Sequence, residues 1–143
     1  MRARQALAQI IASLPFNVLR VSAYRLLLGY RMQRARIGWR CVIDVARADF
    51  VGCRVGHHNT FTGPMSVQVG RGSQISSHNV FHCGRWTLKG GATYARRLEI
   101  GEDTVIASRH YFDAAGTFVL GKGSFIGGAG SQFWTHGPGA QER

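Results

Sequence analysis

Acid is scarce in this chain: seven Asp and Glu stand against 18 Lys and Arg, giving a formal charge of +11, and none of the seven precedes Asp44. Lysine is scarce too, with only Lys89 and Lys122, so the basic surface is made of arginine. Such a surface attracts a nucleic acid, an anionic membrane face or a phosphorylated small molecule, and charge alone does not choose among them. Cysteine is limited to Cys41, Cys53 and Cys83. Three thiols cannot all pair within one chain, so no disulfide framework is expected, and a reducing, cytoplasmic setting is. Cys41 and Cys53 are read as small buried hydrophobes.

Long apolar runs are missing as well. The N-terminal uncharged stretch, residues 5–19, is too short to span a bilayer as a helix. Arg2 and Arg4 ahead of it resemble the start of a secretory signal, but Gln9 interrupts the apolar run and no A-x-A site follows. The glycine pairs at Gly121-Lys122-Gly123 and Gly127-Gly128 lack the GxxxxGK[ST] spacing of a phosphate loop. Neither a recognition helix nor an aromatic-basic stacking motif occurs, so nucleic acid is not the expected partner. Helical periods are absent between the strand-like segments, which excludes a doubly wound α/β sheet. By length the chain is one domain with a small core.

What is present divides at about residue 34. Residues 1–34 read as a basic amphipathic helical segment: a short helix, then a second from Leu14 to Gln33, with Ser13 capping ahead of Pro15. On a 3.6-residue wheel Phe16, Leu19, Ala23, Leu26, Leu27 and Tyr30 share one face, and Val18, Val21, Leu28 and Met32 form a second arc. Asn17, Arg20, Tyr24 and Arg31 lie between them. Two apolar arcs imply a helix with two burying partners, one end of the following domain and a neighbouring subunit, or a helix resting at the inner face of a membrane. The second reading draws on residues 1–40, which hold eight Arg and no acid.

Residues 35–143 step by six. Ile37, Ile43, Asp49, Val55, Phe61 and Val67 form the first run, broken only by Asp49; the phase then moves by two to Val69, Ile75 and Phe81. It resumes at Ile100, Ile106, Phe112 and Phe118 and shifts by two again into Leu120 and Ile126. Val67-Gln68-Val69-Gly70, Leu98-Glu99-Ile100-Gly101 and Phe118-Val119-Leu120-Gly121 mark coil beginnings, with Ser73, Asn79 and Ser124 at the small or turn-forming positions. So short a repeat predicts an all-β solenoid of parallel strands, every sixth side chain pointing inward. Residues 82–97 fit no register and contain Gly90-Gly91, so they are read as an inserted loop, the chief protrusion.

The clearest run, Phe118–His136 (FVLGKGSFIGGAGSQFWTH), ends on Thr135-His136. This segment resembles the catalytic coil of the hexapeptide-repeat acyltransferases, and the basic N-terminal segment resembles that of their polysaccharide-biosynthesis members. The resemblance, over roughly Ile37 to His136, implies a left-handed parallel β-helix that assembles as a homotrimer. It also implies transfer of an acetyl or similar acyl group from acetyl-CoA to a hydroxyl of a saccharide or lipid-linked saccharide, without a metal. In that reading His136 is the general base, since an imidazole accepts a proton at neutral pH and returns it to the leaving thiolate. Trp134 walls the acceptor pocket, and Arg or Lys along the groove meets the donor's phosphates. Gly137 stands where many relatives carry an acidic residue, leaving His136 with no adjacent partner. Relatives continue for several coils beyond the histidine, whereas this chain ends at Arg143, so an incomplete β-helix, an inactive fragment or scaffold, is an alternative expectation.

A metal site is the second chemical reading. Cys53, His57, His58, His78, His82 and Cys83 give C-x3-H-H and H-x3-H-C, with one coil between His58 and His78. Side chains of adjacent coils would then converge on zinc, as in the carbonic-anhydrase-like branch of the same fold. Alternation of faces along a strand prevents all six from pointing to one place.

Overall fold

The structure, a computed structural model, describes residues 2–137 and only the backbone of residues 90–92. Pro138, Gly139 and the end at Arg143 lie outside the described residues. Two helices, α1 (Arg2–Ala12) and α2 (Asn17–Leu28), precede a left-handed parallel β-solenoid of about 5 turns. The strands of the coils are β1 (Arg31–Gln33), β2 (Arg36–Ile37), β3 (Val42–Val51), β4 (Arg54–Val55), β5 (Thr60–Val69), β6 (Gln74–Ile75) and β7 (Val80–His82). A 3-10 segment, Arg85–Thr93, interrupts the third coil, followed by β8 (Arg97–Ile100), β9 (Val105–Ile106), β10 (Tyr111–Asp113), β11 (Thr117–Leu120), β12 (Phe125–Ile126) and β13 (Gln132–Phe133). The insertion falls where the hexapeptide register fails.

Each strand pairs in parallel with its counterpart one coil away, so like residues stack in columns through the core. One column runs Ile37, Val55, Ile75, Ile106 and Ile126. A second runs Ile43, Phe61, Phe81, Phe112 and Phe133, and its rings stack face to face at 4.4 Å, 4.6 Å and 4.9 Å. At the corners Asn59 and Asn79, both fully buried, tie coil to coil: Asn59 Oδ1 accepts from Asn79 N, and Asn79 Oδ1 accepts from His110 N. A buried amide satisfied on both sides fixes the spacing of the turns, because an unpaired one is costly there. Asp49, the break in the sequence series, is not an inward position. The pairing slips between Val45 and Arg47, and Ala48 and Phe50 point inward instead, opposite Val67 and Val69. The inward pair Val67 and Val69 thus has its counterpart in Ala48 and Phe50, but the first coil keeps 18 residues from Ile37 to Val55, so the count by six is not displaced.

The N-terminal segment differs from its sequence reading. The second helix stops at Leu28, capped by Gly29 at φ 69°, where glycine takes the left-handed conformation freely, and Arg31–Gln33 is already a strand paired with Asp49–Val51. More consequentially, α2 faces inward with its polar strip. Arg20 and Tyr24 are buried, while Phe16, Val18, Leu19, Leu26 and Leu27 are exposed. The reason lies in the first coil, which has no coil before it and presents the unpaired backbone groups of an edge. Asn17 Oδ1 accepts from Ile37 N at 2.7 Å, Arg20 Nε donates to Ile37 O at 2.9 Å, and Tyr24 Oη donates to Cys41 O at 2.7 Å. Tyr30 Oη accepts from Val45 N at 3.0 Å, and Arg4 donates to Val45 O at 2.9 Å. Apolar side chains cannot satisfy such groups, so the strip between the arcs is the buried side.

All three cysteines are free and buried. Burial pushes the Cys41 thiol up to about 11 and the Cys53 thiol up to about 12, and raises that of Cys83. Only the thiolate reacts, so alkylation of Cys41 by iodoacetamide at neutral pH is expected to run roughly 10²-fold slower in the folded protein than in denaturant. Mass spectrometry of timed aliquots checks this; equal rates in both conditions would show that the thiol is accessible.

Candidate functional site

Asp113 closes β10, directly after inward Phe112, and is almost fully buried. Its Oδ1 accepts from Ala115 N at 3.0 Å and lies 3.2 Å from Thr135 Oγ1. Thr135 Oγ1 lies 3.0 Å from Asp113 O and accepts from Gly116 N at 2.8 Å. This cradle brings the next coil's end against the carboxylate and sets His136 Nδ1 3.0 Å from Asp113 Oδ1. A carboxylate facing Nδ1 holds the proton on that nitrogen, leaving Nε2 as the ring's free acceptor. The imidazole is about a quarter exposed, at 26 %.

The inserted segment supplies a wall. Trp86 meets the His136 ring edge-on at 5.0 Å and packs against Tyr94 at 4.9 Å. Two features fold the insert back onto the coil. Thr87 Oγ1 donates to Gly84 O at 2.7 Å, and Arg96 Nη1 donates to Thr87 O at 3.1 Å. A Cβ on Gly84 would overlap Trp86 Nε1, so only glycine lets the indole lie there. Trp134 also meets His136, at 5.9 Å, and leans on Tyr111 at 5.1 Å, with its Nε1 donating to Gln132 Oε1 at 3.3 Å. Trp86 and Trp134 both stay partly exposed, so the histidine contacts two aromatic rings open to solvent.

From Asp113 the outward column continues in register through His82, Thr62 and Asp44. His82 Nδ1 lies 3.2 Å from Thr62 Oγ1. These residues, with Arg4, Gly63 and Arg85, line a cleft of about 380 Å³ one coil closer to the helices than Asp113.

Comparison with family models, with curated proteins and with solved structures gives no match. The site is therefore judged on its own geometry. Both residues singled out in the sequence, His136 and Trp134, come together. Asp113, Trp86 and Tyr111 were not singled out, and Asp113 supplies the partner that Gly137 withholds. Its signal was available: among residues 104–141 it is the sole acid, and it follows an inward phenylalanine one coil before His136.

The residues of the zinc reading are dispersed. Cys53 is buried beside β4, His58 and His78 stack on each other at 5.0 Å at a corner, and His82 turns to Thr62. His57 Nδ1 accepts from Trp39 N at 2.8 Å, and Cys83 lies against Thr87. Among the described residues no three His, Cys, Asp or Glu side chains are grouped to hold one ion.

Proposed function

We propose that the chain is an acyltransferase of the hexapeptide-repeat kind, moving an acetyl or similar group from acetyl-CoA to a saccharide hydroxyl, with His136 as general base. The observation that carries this reading is the Asp113–His136 contact at 3.0 Å, which orients an otherwise ordinary turn histidine for proton transfer. The acceptor oxygen forms its bond to the acyl carbon as Nε2 takes the hydroxyl proton. The carbon–sulfur bond then breaks, and the imidazolium returns the proton to the departing thiolate. Asp113 stabilises the imidazolium in between.

Two further features support a sugar acceptor. The C–H face of a pyranose packs on an aromatic ring, and Trp86 and Trp134 flank the base with such surfaces. Beside them the cleft along Thr62, His82 and Arg85 offers hydrogen-bonding groups in a small volume. A homotrimer belongs to the same proposal: Val80, Val119 and Phe125 are outward apolar side chains on the coils, and Phe125 is 72 % exposed.

Incubation of the purified chain with acetyl-CoA and a panel of mono- and oligosaccharides is expected to release free thiol only when an acceptor is present. Calorimetric titration of acetyl-CoA and the mass in solution complete the test. A chain that binds no donor and releases no thiol with any acceptor would defeat the reading.

A further inference from the structure

The inverted α2 leaves a surface that the coil does not explain. Because its polar strip caps the first coil, its outward side could carry polar residues at no cost to the cap. It carries Val18, Leu19 and Leu26 instead, at i, i+7 and i, i+8 spacing on one face, with Phe16 before them and Leu27 beside them. Leu26 is 83 % exposed and Val18 71 %. Contiguous apolar side chains of this size on an outward helix face mark a surface that meets something other than water.

The charges around that surface say what it meets. α2 packs on β2, where Arg36 is exposed and pairs in register with Arg54 of β4. Like charges directly opposite one another across strands destabilise a sheet unless an anion lies between them. Arg34, Arg36 and Arg54 line a cleft of about 290 Å³ together with Cys53, Ser73 and Gln74, and its lining includes no carboxylate. Arg25 is exposed on α2 itself, and Arg2 opens α1. Apolar side chains projecting from a helix with arginines around them are the arrangement of an interfacial element: the side chains enter the acyl boundary and the guanidinium groups meet phosphates.

We propose that this end of the molecule docks on a membrane surface bearing anionic headgroups, through Phe16, Val18, Leu19 and Leu26, with headgroup phosphate seated at Arg34, Arg36 and Arg54. No helix among the described residues is long and apolar enough to cross a membrane, so the contact is peripheral. A two-fold contact with a second copy would lay this patch against itself, arginine on arginine, with no acid before Asp44 to relieve it. The inference is independent of the acyl-transfer reading, since it uses none of the residues around His136.

The test is co-sedimentation of the full chain with phosphatidylcholine vesicles, with and without phosphatidylglycerol. The chain is expected to pellet with the anionic vesicles at ~0.1 M salt and to be released as salt screens the arginines. Val18→Glu with Leu26→Glu, and separately Arg36→Gln with Arg54→Gln, are each expected to lower the partition coefficient at least ~10-fold. All four side chains are on the surface, and circular dichroism confirms that each variant is folded. Absence of pelleting with anionic vesicles, or pelleting that neither pair of substitutions changes, overturns the proposal. So does a wild-type chain that ignores vesicles and whose mass by light scattering drops in the Val18/Leu26 variant, which assigns the face to a second copy.

Discussion

Turnover of His136→Ala falls at least ~10²-fold relative to the unchanged chain, with donor binding and oligomeric mass preserved, because the substitution removes the proton acceptor and nothing in the core. The partner substitution is the more informative of the two. Asp113→Asn keeps the size of the side chain, and its amide oxygen in the place of Oδ1 still accepts from Ala115 N and from Nδ1, but it carries no charge. The imidazolium formed in the transition state then loses the negative charge that offsets it. A loss of at least ~10² in kcat, with KM for acetyl-CoA nearly constant, is the expected split. An Asp113→Asn protein that keeps most of its turnover would show that the carboxylate only supports the fold. Asp113→Ala is the wrong probe for this purpose, since it strips acceptors from Ala115 N and Thr135 and costs about 1–3 kcal/mol for each buried group left unpaired.

Phe112→Ala carries the largest expected loss of stability, about 3–5 kcal/mol, the range for emptying a buried phenylalanine site. Phe112 is fully buried, stacks on Phe81 at 4.6 Å and on Phe133 at 4.9 Å, and meets Phe118 edge-on at 5.3 Å. Its removal breaks the aromatic column in the middle. In a solenoid each coil is held mainly by its neighbours, so the last coil, with nothing described beneath it, loses its main contact first. Urea unfolding followed by tryptophan fluorescence measures the effect. Phe112→Leu, which refills most of the volume, is expected to recover more than half of the loss. A Phe112→Ala midpoint equal to that of the unchanged chain would mean that the column is not what binds the coils together.

The coil was legible because its repeat is written in residues whose burial is obligatory. Ile37, Val55, Ile75 and Ile106 recur in one column of paired strands, and the polar residues at the turns, Asn79 and Ser73, are those whose side chains bond the next coil. Ala48 escaped because alanine carries too little apolar surface to mark a frame, and Asp49 beside it looked like a break. The helix escaped for a different reason. Wheel arguments assume that the apolar side is the buried side, and here the neighbour is a sheet edge whose unpaired N–H and C=O groups select Asn17, Arg20 and Tyr24. His136 was legible through Thr135-His136 at the end of a clean repeat. Its partner was not, because Asp113 is distant in sequence and becomes adjacent only when Phe112 is stacked on Phe133. Trp86 lies in an insertion that obeys no period, so only the folded chain reveals that the protrusion turns back toward the histidine.

The site therefore stands or falls on the proton between Asp113 and His136. Nitrogen-15 NMR of the histidine-labelled chain, with His136 assigned by comparison with His136→Ala, reads that proton directly through the two ring nitrogens. At a pH where the imidazole is neutral, the account predicts the Nδ1–H tautomer, with Nε2 showing the shift of an unprotonated nitrogen. An Nε2–H tautomer in the unchanged chain would contradict it, since a histidine already protonated on its exposed nitrogen cannot take the proton of an attacking hydroxyl.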